Sequence, residues 1–183
     1  SDYPAYERPE TCRGAQSMKT QLESLTAFFT QNVPERARLS FDSQIDGMQV
    51  ISAARDLGAG QYRLSVLRYN ALLSWERFPF RLVAPQLLVA LLEVWMDEHA
   101  APVMEELGIE NTEADWDVTL EDEETATVVL TLPLADELVI RPDAGGLIPY
   151  RGERWSLVEP EIWTALSATV HGVDEAGAPV GES

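Results

Sequence analysis

Lysine is almost absent from this sequence. Lys19 is the single one in 183 residues, and from Leu82 to Ile140 there is no Lys or Arg while Asp and Glu number fifteen. The formal net charge is -18. Such a field repels a phosphate backbone and disfavours ordinary DNA or RNA recognition. Cysteine is nearly missing too. Cys12 stands alone, so no internal disulfide forms, and synthesis in a cytosol with reduced thiols is the expectation. The two histidines, His99 and His171, are not at metal-ligand spacing. No GxSxG, phosphate loop or GxGxxG occurs; "GAG" at 58–60 precedes a strand rather than a helix. No run reaches the ~20 apolar residues of a membrane helix. The longest candidate, Leu82 to Met96, is interrupted by Gln86 and Glu93. No secretory leader is visible. Catalysis, a resident metal or cofactor and a membrane partner are therefore not expected.

Hydrophobic residues make up 45% of the chain, enough for one folded domain. Residues 1–17, with Pro4, Pro9 and Gly14, have no period and read as a flexible arm or leader, with Tyr3 and Tyr6 as anchors if it orders on a neighbour. Met18 is a candidate native start. From there Leu22, Leu25, Phe28 and Phe29 follow helical spacing until Asn32 and Pro34. Leu39, Phe41 and Ile45 alternate, as do Met48 and Val50, and the Asp46-Gly47 step between them reads as a hairpin turn. "LGAG" at 57–60 is a loop. A long strand follows, with its apolar parity flipping between Val66 and Leu67, which suggests a bulge or burial on both faces. Pro85 opens a helix over 84–99 that is apolar nearly all round, with Gln86, Glu93 and Asp97 as a narrow polar stripe. It should be covered on most sides, by its own domain or by a neighbour. Asp97 and Glu98 at its end oppose the helix dipole. A short turn over 102–108 comes next.

The most charged stretch is "DWDVTLEDEETATVVLTLPL", residues 115–134. Asp115, Asp117, Glu121, Asp122, Glu123 and Glu124 fall within its first ten positions. A calcium loop needs set offsets and a glycine, and neither is present. Successive strand residues point to opposite faces, so adjacent acids cannot converge on one ion. Asp115 and Asp117 do share a face, opposite Trp116, but nothing marks the cleft that a pair of catalytic acids requires. The economical reading is a strand (Trp116, Val118, Leu120), an acidic turn and a second strand (Ala126 to Leu132) ended or edged by Pro133. Leu138 to Ile140 is a short third strand, closed by "RPDAGG". Residues 142–174 read as a C-terminal extension packed on the domain or a neighbour. Trp155 and Trp163 there serve either as interface anchors or as a cover for the sheet. Residues 175–183 read as disordered. The acidity itself supports three uses: solubility, a DNA mimic, or the wall of a channel through which DNA slides without sticking.

The order of elements, with "PQLLVALLEVWMDEHA" and then "LGIENTEADWDVTLEDEETATVVLTLPLADELVI", resembles the tail completion family, R type, of temperate phages with contractile tails. The resemblance runs from Met18 to Ile140 and rests on Trp95 at the helix end, the strand, acidic turn and strand, and "LTLPLADELVI". It departs at "EHAAP", where the family commonly has an "HQP"-like stretch, and it stops after Ile140. The resemblance implies an α/β (α+β) domain over 18–141, a small mixed but mainly antiparallel sheet flanked by helices, similar to tail terminators. It implies a homo-hexameric ring that caps the tail tube, ends its growth and joins tail to head in the virion, after assembly in the host cytoplasm. The partners implied are further copies, tail tube protein, tail sheath protein and head–tail connector proteins, with DNA passing through the lumen unbound. No active site is implied. Within that reading, Asp115, Asp117 and Glu121 to Glu124 face a lumen or partner, and Arg141, Arg151 and Arg154 pair with acids on a neighbour. A neck connector and a DNA-mimic inhibitor are the rival expectations.

Overall fold

A computed structural model describes residues 20–110 and 113–158. The arm at 1–17, Cys12, Met18, Trp163, His171 and the tail at 175–183 lie outside them.

The first helix, α1, spans Gln21–Asn32. Its start is set by a capping box: Thr20 Oγ1 accepts from Glu23 N–H at 3.0 Å, and Glu23 Oε1 accepts from Thr20 N–H at 2.9 Å. Two otherwise orphaned donors are satisfied by one short motif. Leu22, Leu25 and Phe29 form its buried face. After a single 3-10 turn at Glu35–Ala37 the chain enters β1, Phe41–Gly58, and returns as β2, Gln61–Phe78. The Asp46-Gly47 step is not a hairpin turn. Gly47 has φ 86° and sits at a register shift within β1, so the positive φ serves a bulge and the strand runs on. The hairpin turns thirteen residues later, where Ala59 (φ 54°) and Gly60 (φ 80°) are both left-handed, as a two-residue primed turn demands. In β2 the irregularity lies at Leu64, earlier than the Val66/Leu67 flip implies. Ser65 and Val66 are both buried, so that stretch is also covered on both faces.

Helix α2, Gln86–Glu98, and the short α3, Pro102–Glu106, follow β2. Then come β3, Asp115–Leu120, and β4, Ala126–Pro142, with a final hairpin of β5, Ile148–Tyr150, and β6, Glu153–Leu157. The strands form one six-stranded sheet in the order β1-β2-β4-β6-β5, with β3 on β4, and every pairing among the described residues is antiparallel. The two strands expected at 126–132 and 138–140 are one. Pro133 does not end it. Pairing with β3 stops at Thr131 and pairing with β6 starts at Ile140, so Pro133 falls where β4 has a strand on one side only and its missing N–H costs no ladder there.

The core lies between α1 and α2 and one face of β2 and β4. Tyr69, Ala71, Leu73 and Trp75 meet Val128, Leu130, Leu132 and Leu134 in register, all buried. Trp75 stacks on Phe41 (4.9 Å, 11°) and takes the edge of Phe29 at 4.9 Å. Trp95 closes α2 against α1, its indole N–H donating to Ser24 Oγ at 3.0 Å. The run Leu132, Pro133, Leu134, Ala135 is buried without alternation, which places cover on both faces of β4. Val103 and Met104 of α3 and Ile109 after it are buried and join the same core. Helix α2 itself is covered on one face only: Leu88, Leu92 and Trp95 are buried, whereas Val89 and Val94 are exposed. It is a surface helix of the monomer, not a central one. The apolar side of β3 is also open, with Trp116 half-buried and Val118 and Leu120 exposed.

These burials separate two classes of leucine. Leu130→Ala should destabilise the fold by about 2–5 kcal/mol, and Leu120→Ala by no more than about 0.5 kcal/mol. Urea unfolding of both variants measures the contrast.

Candidate functional site

The structure puts the predicted residues at two ends of the sheet rather than in one site. The acidic turn joins β3 to β4. Asp122 Oδ1 accepts from the backbone of Glu124 and Thr125, each at 2.8 Å, and from Thr125 Oγ1 at 3.1 Å. Those donors hold its carboxyl below the ordinary range. Glu121 accepts from the hydroxyls of Thr127 and Thr125, which lower it likewise. Two of the four acids therefore build the turn, while Glu123 and Glu124 project into solvent. Arg81 donates to the Glu123 carbonyl and ties the loop after β2 to this turn. Asp115 and Asp117 are exposed on β3, on the face opposite Trp116. Among the described residues no group of three His, Cys, Asp or Glu is arranged to hold a metal.

The arginines gather at the far end. Arg151 has φ 54° in the β5–β6 turn and lies over the rings of Tyr62 and Tyr150, 4.9 Å from each centroid. Arg154 is exposed on β6 and Arg141 on β4, near Asp143. Trp155 is buried in the hairpin, donating to the Tyr150 carbonyl at 2.8 Å. It covers the sheet end instead of standing out as an anchor.

The family model for P2 phage tail completion protein R (GpR) matches residues 19–160. The chain belongs to this family. A relative from Haemophilus phage HP1 (strain HP1c1), described as an uncharacterized 19.2 kDa protein in the rep-hol intergenic region, is 26% identical over 147 residues, covering 80% of this chain and 87% of that protein. No solved structure matches the chain. The GpR match continues beyond Ile140, where the resemblance read from sequence stops, and takes in β5, β6 and the arginine end.

Two polar clusters of this GpR member escaped the sequence reading. Arg63 is almost fully buried. Its guanidinium meets Glu106 in two bonds (3.2 and 2.9 Å), Glu137 at 2.7 Å and the Ala53 carbonyl at 2.8 Å. The Glu106 bonds raise its pKa further, and Arg63 in turn lowers Glu106. The second cluster is at the start of α1. Asp136 Oδ1 accepts from Gln21 N–H at 2.8 Å and Oδ2 from Tyr69 O–H at 2.5 Å, while Leu22 N–H donates to the Tyr69 oxygen at 3.3 Å. Burial raises Asp136 to about 6 against the lowering effect of those donors, and Glu23 and Glu137 add to the rise. Burial and Asp136 also push the Tyr69 phenol well up. The available signal was the acid itself, set among apolar residues in "LPLADELVI".

The Asp136 shift has a definite sign. An unfolded Asp titrates near about 3.9, so between about pH 4 and about pH 6 the carboxyl keeps its proton only in the folded state. Its contribution to stability is present at low pH and is lost as pH rises through about 6. Asp136→Asn should gain on wild type by about 2–3 kcal/mol between pH 4 and pH 7, with no further change above that. Chemical denaturation across that range tests it; a difference independent of pH refutes the shift.

Proposed function

We propose that this protein is a tail terminator: a ring of copies that caps the tail tube, ends its polymerisation and joins the tail to the head side. Membership of the tail completion family carries the reading. The monomer's surface supports it. The outer face of α2 and the open face of β3 present apolar side chains that a lone subunit leaves in water and a partner would cover. The partners in this reading are further copies, the tail tube protein, the sheath protein and the head–tail connector, with assembly in the host cytoplasm and residence in the virion tail. The work is done by interfaces, so no active site is required.

The acids fit a second part of the proposal. Asp115 and Asp117, on the face of β3 away from Val118 and Leu120, form a negative surface that a ring can turn toward its lumen. Passing DNA would be repelled there and not retained. A DNA-mimic inhibitor is less well supported, because two acids of the turn are spent on its own backbone N–H and threonine O–H groups instead of standing spaced like phosphates.

Two measurements test these points. Phage lacking the gene should yield tubes of uncontrolled length without joined heads, seen by negative-stain microscopy, and a plasmid copy should restore uniform tails. Uniform, joined tails without it refute the terminator reading. Replacing Asp115 and Asp117 by Asn in the complementing copy should slow DNA ejection while tails still assemble. Unchanged ejection removes the channel role of these two acids and leaves the terminator role standing.

A further inference from the structure

We infer that the β3 end of one copy docks onto the arginine end of a second copy, head to tail, and that this contact builds the ring proposed above. The inference rests on that reading and names its interface.

Each end carries what the other lacks. β3 pairs with β4 alone, so its outer edge is open among the described residues. Its face shows Val118 and Leu120 at 51% and 68% exposure, and Leu82, held at the turn through Arg81, is 67% exposed. Glu123 and Glu124, exposed in the turn that follows Leu120, border that apolar surface. The other end shows Leu147 at 89% exposure beside Arg141, Arg151 and Arg154. Asp143 and Glu153 offset part of that charge, but Asp143 is taken up by the turn, accepting from Gly145 N–H at 3.0 Å. In a chain of net charge -18, the three arginines against Asp143 and Glu153 leave this end with one net positive charge. Both ends thus combine an exposed leucine with charge, and the charges are opposite.

The geometry forbids the alternatives. The ends are separated by the length of β4, about 50 Å at ~3.3 Å per residue, many Debye lengths, so one copy cannot neutralise itself. A two-fold contact of β3 with β3 would set one acidic rim on another. Like charges in register cost too much for that. A head-to-tail heterologous contact meets both conditions and closes into a ring or runs on as a filament, whereas a side-by-side two-fold pair of opposite ends would stop at a dimer. Phosphate would satisfy the arginines but not Leu147, which favours a protein occupant.

The test uses two variants of the full chain, Leu120→Asp and the pair Leu147→Asp with Arg154→Glu. All three side chains are exposed, and circular dichroism confirms that folding is intact. Sedimentation of wild type through the micromolar range should show a closed oligomer whose stability falls with salt. Each variant should associate at least about tenfold more weakly. Mixing the two should give a heterodimer and nothing larger, because each retains one competent end. Variants that assemble like wild type overturn this interface and leave the ring standing. Variants that stay monomeric when mixed show that the contact joins other surfaces and also overturn it. A wild type that never self-associates overturns it as well, and capping of isolated tubes then decides the ring reading by itself.

Discussion

The pairing of β2 with β4 is the constraint on which the rest of the molecule hangs. It runs from Tyr62–Ile140 to Phe78–Ala126, and its inner face supplies the sheet half of the core. Three of the other four strands attach directly to one of these two, β1 to β2 and β3 and β6 to β4, and β5 is carried on β6. The polar clusters fasten the helices to the same ladder. Asp136 and Tyr69, from β4 and β2, receive the first N–H groups of α1. Arg63 of β2 gathers Glu137 of β4, Glu106 of α3 and the Ala53 carbonyl of β1. Buried charges contribute little net stability when paired, but removing one partner costs several kcal/mol. Their effect is to allow only one arrangement of helix on sheet.

That dependence explains what could and could not be read from the sequence. Local signals were legible. Leu22, Leu25, Phe28 and Phe29 announce α1, and the alternation either side of "EDEE" announces β3 and β4. One misreading, at Asp46-Gly47, and two readings that held in only one of their alternatives share a cause. Asp46-Gly47 has the chemistry of a turn, Pro133 that of a strand end, and Leu67 that of a face change, yet long-range pairing overrides each. Gly47 and the residues around Leu64 become register shifts that let two 18-residue strands stay paired while they bend. Pro133 is tolerated because β4 lacks a second strand partner just there. None of this is encoded within a few residues. Arg63 and Asp136 were missed for a related reason: their partners lie up to 115 positions away.

The acidic turn shows how composition can mislead about chemistry. Its clustered carboxylates suggest a site, but Asp122 and Glu121 are occupied with the N–H and O–H groups of the turn itself. Such use lowers a carboxyl pKa as firmly as a catalytic environment does. What distinguishes the two cases is the donor. Backbone amides and threonine hydroxyls within six residues stabilise a local loop, and no substrate is needed to explain them. The acids left over are those that face outward, where their influence is a field and not a reaction.

Helix α2 carries the same argument to the surface. A helix that served only the monomer would bury its valines or replace them, and would place cations at its C-terminus. This one exposes Val89 and Val94 and ends in Asp97 and Glu98, with His99 Nε2 4.0 Å from Glu98. The capping of α1 shows that the chain uses favourable end chemistry where the fold calls for it. The unfavourable end of α2 is therefore better explained by what lies outside the subunit. An apolar strip bordered by uncompensated acids loses little in water and gains when a partner covers the valines and supplies the missing positive charge, which is the balance expected of a subunit that completes its surface only in an assembly.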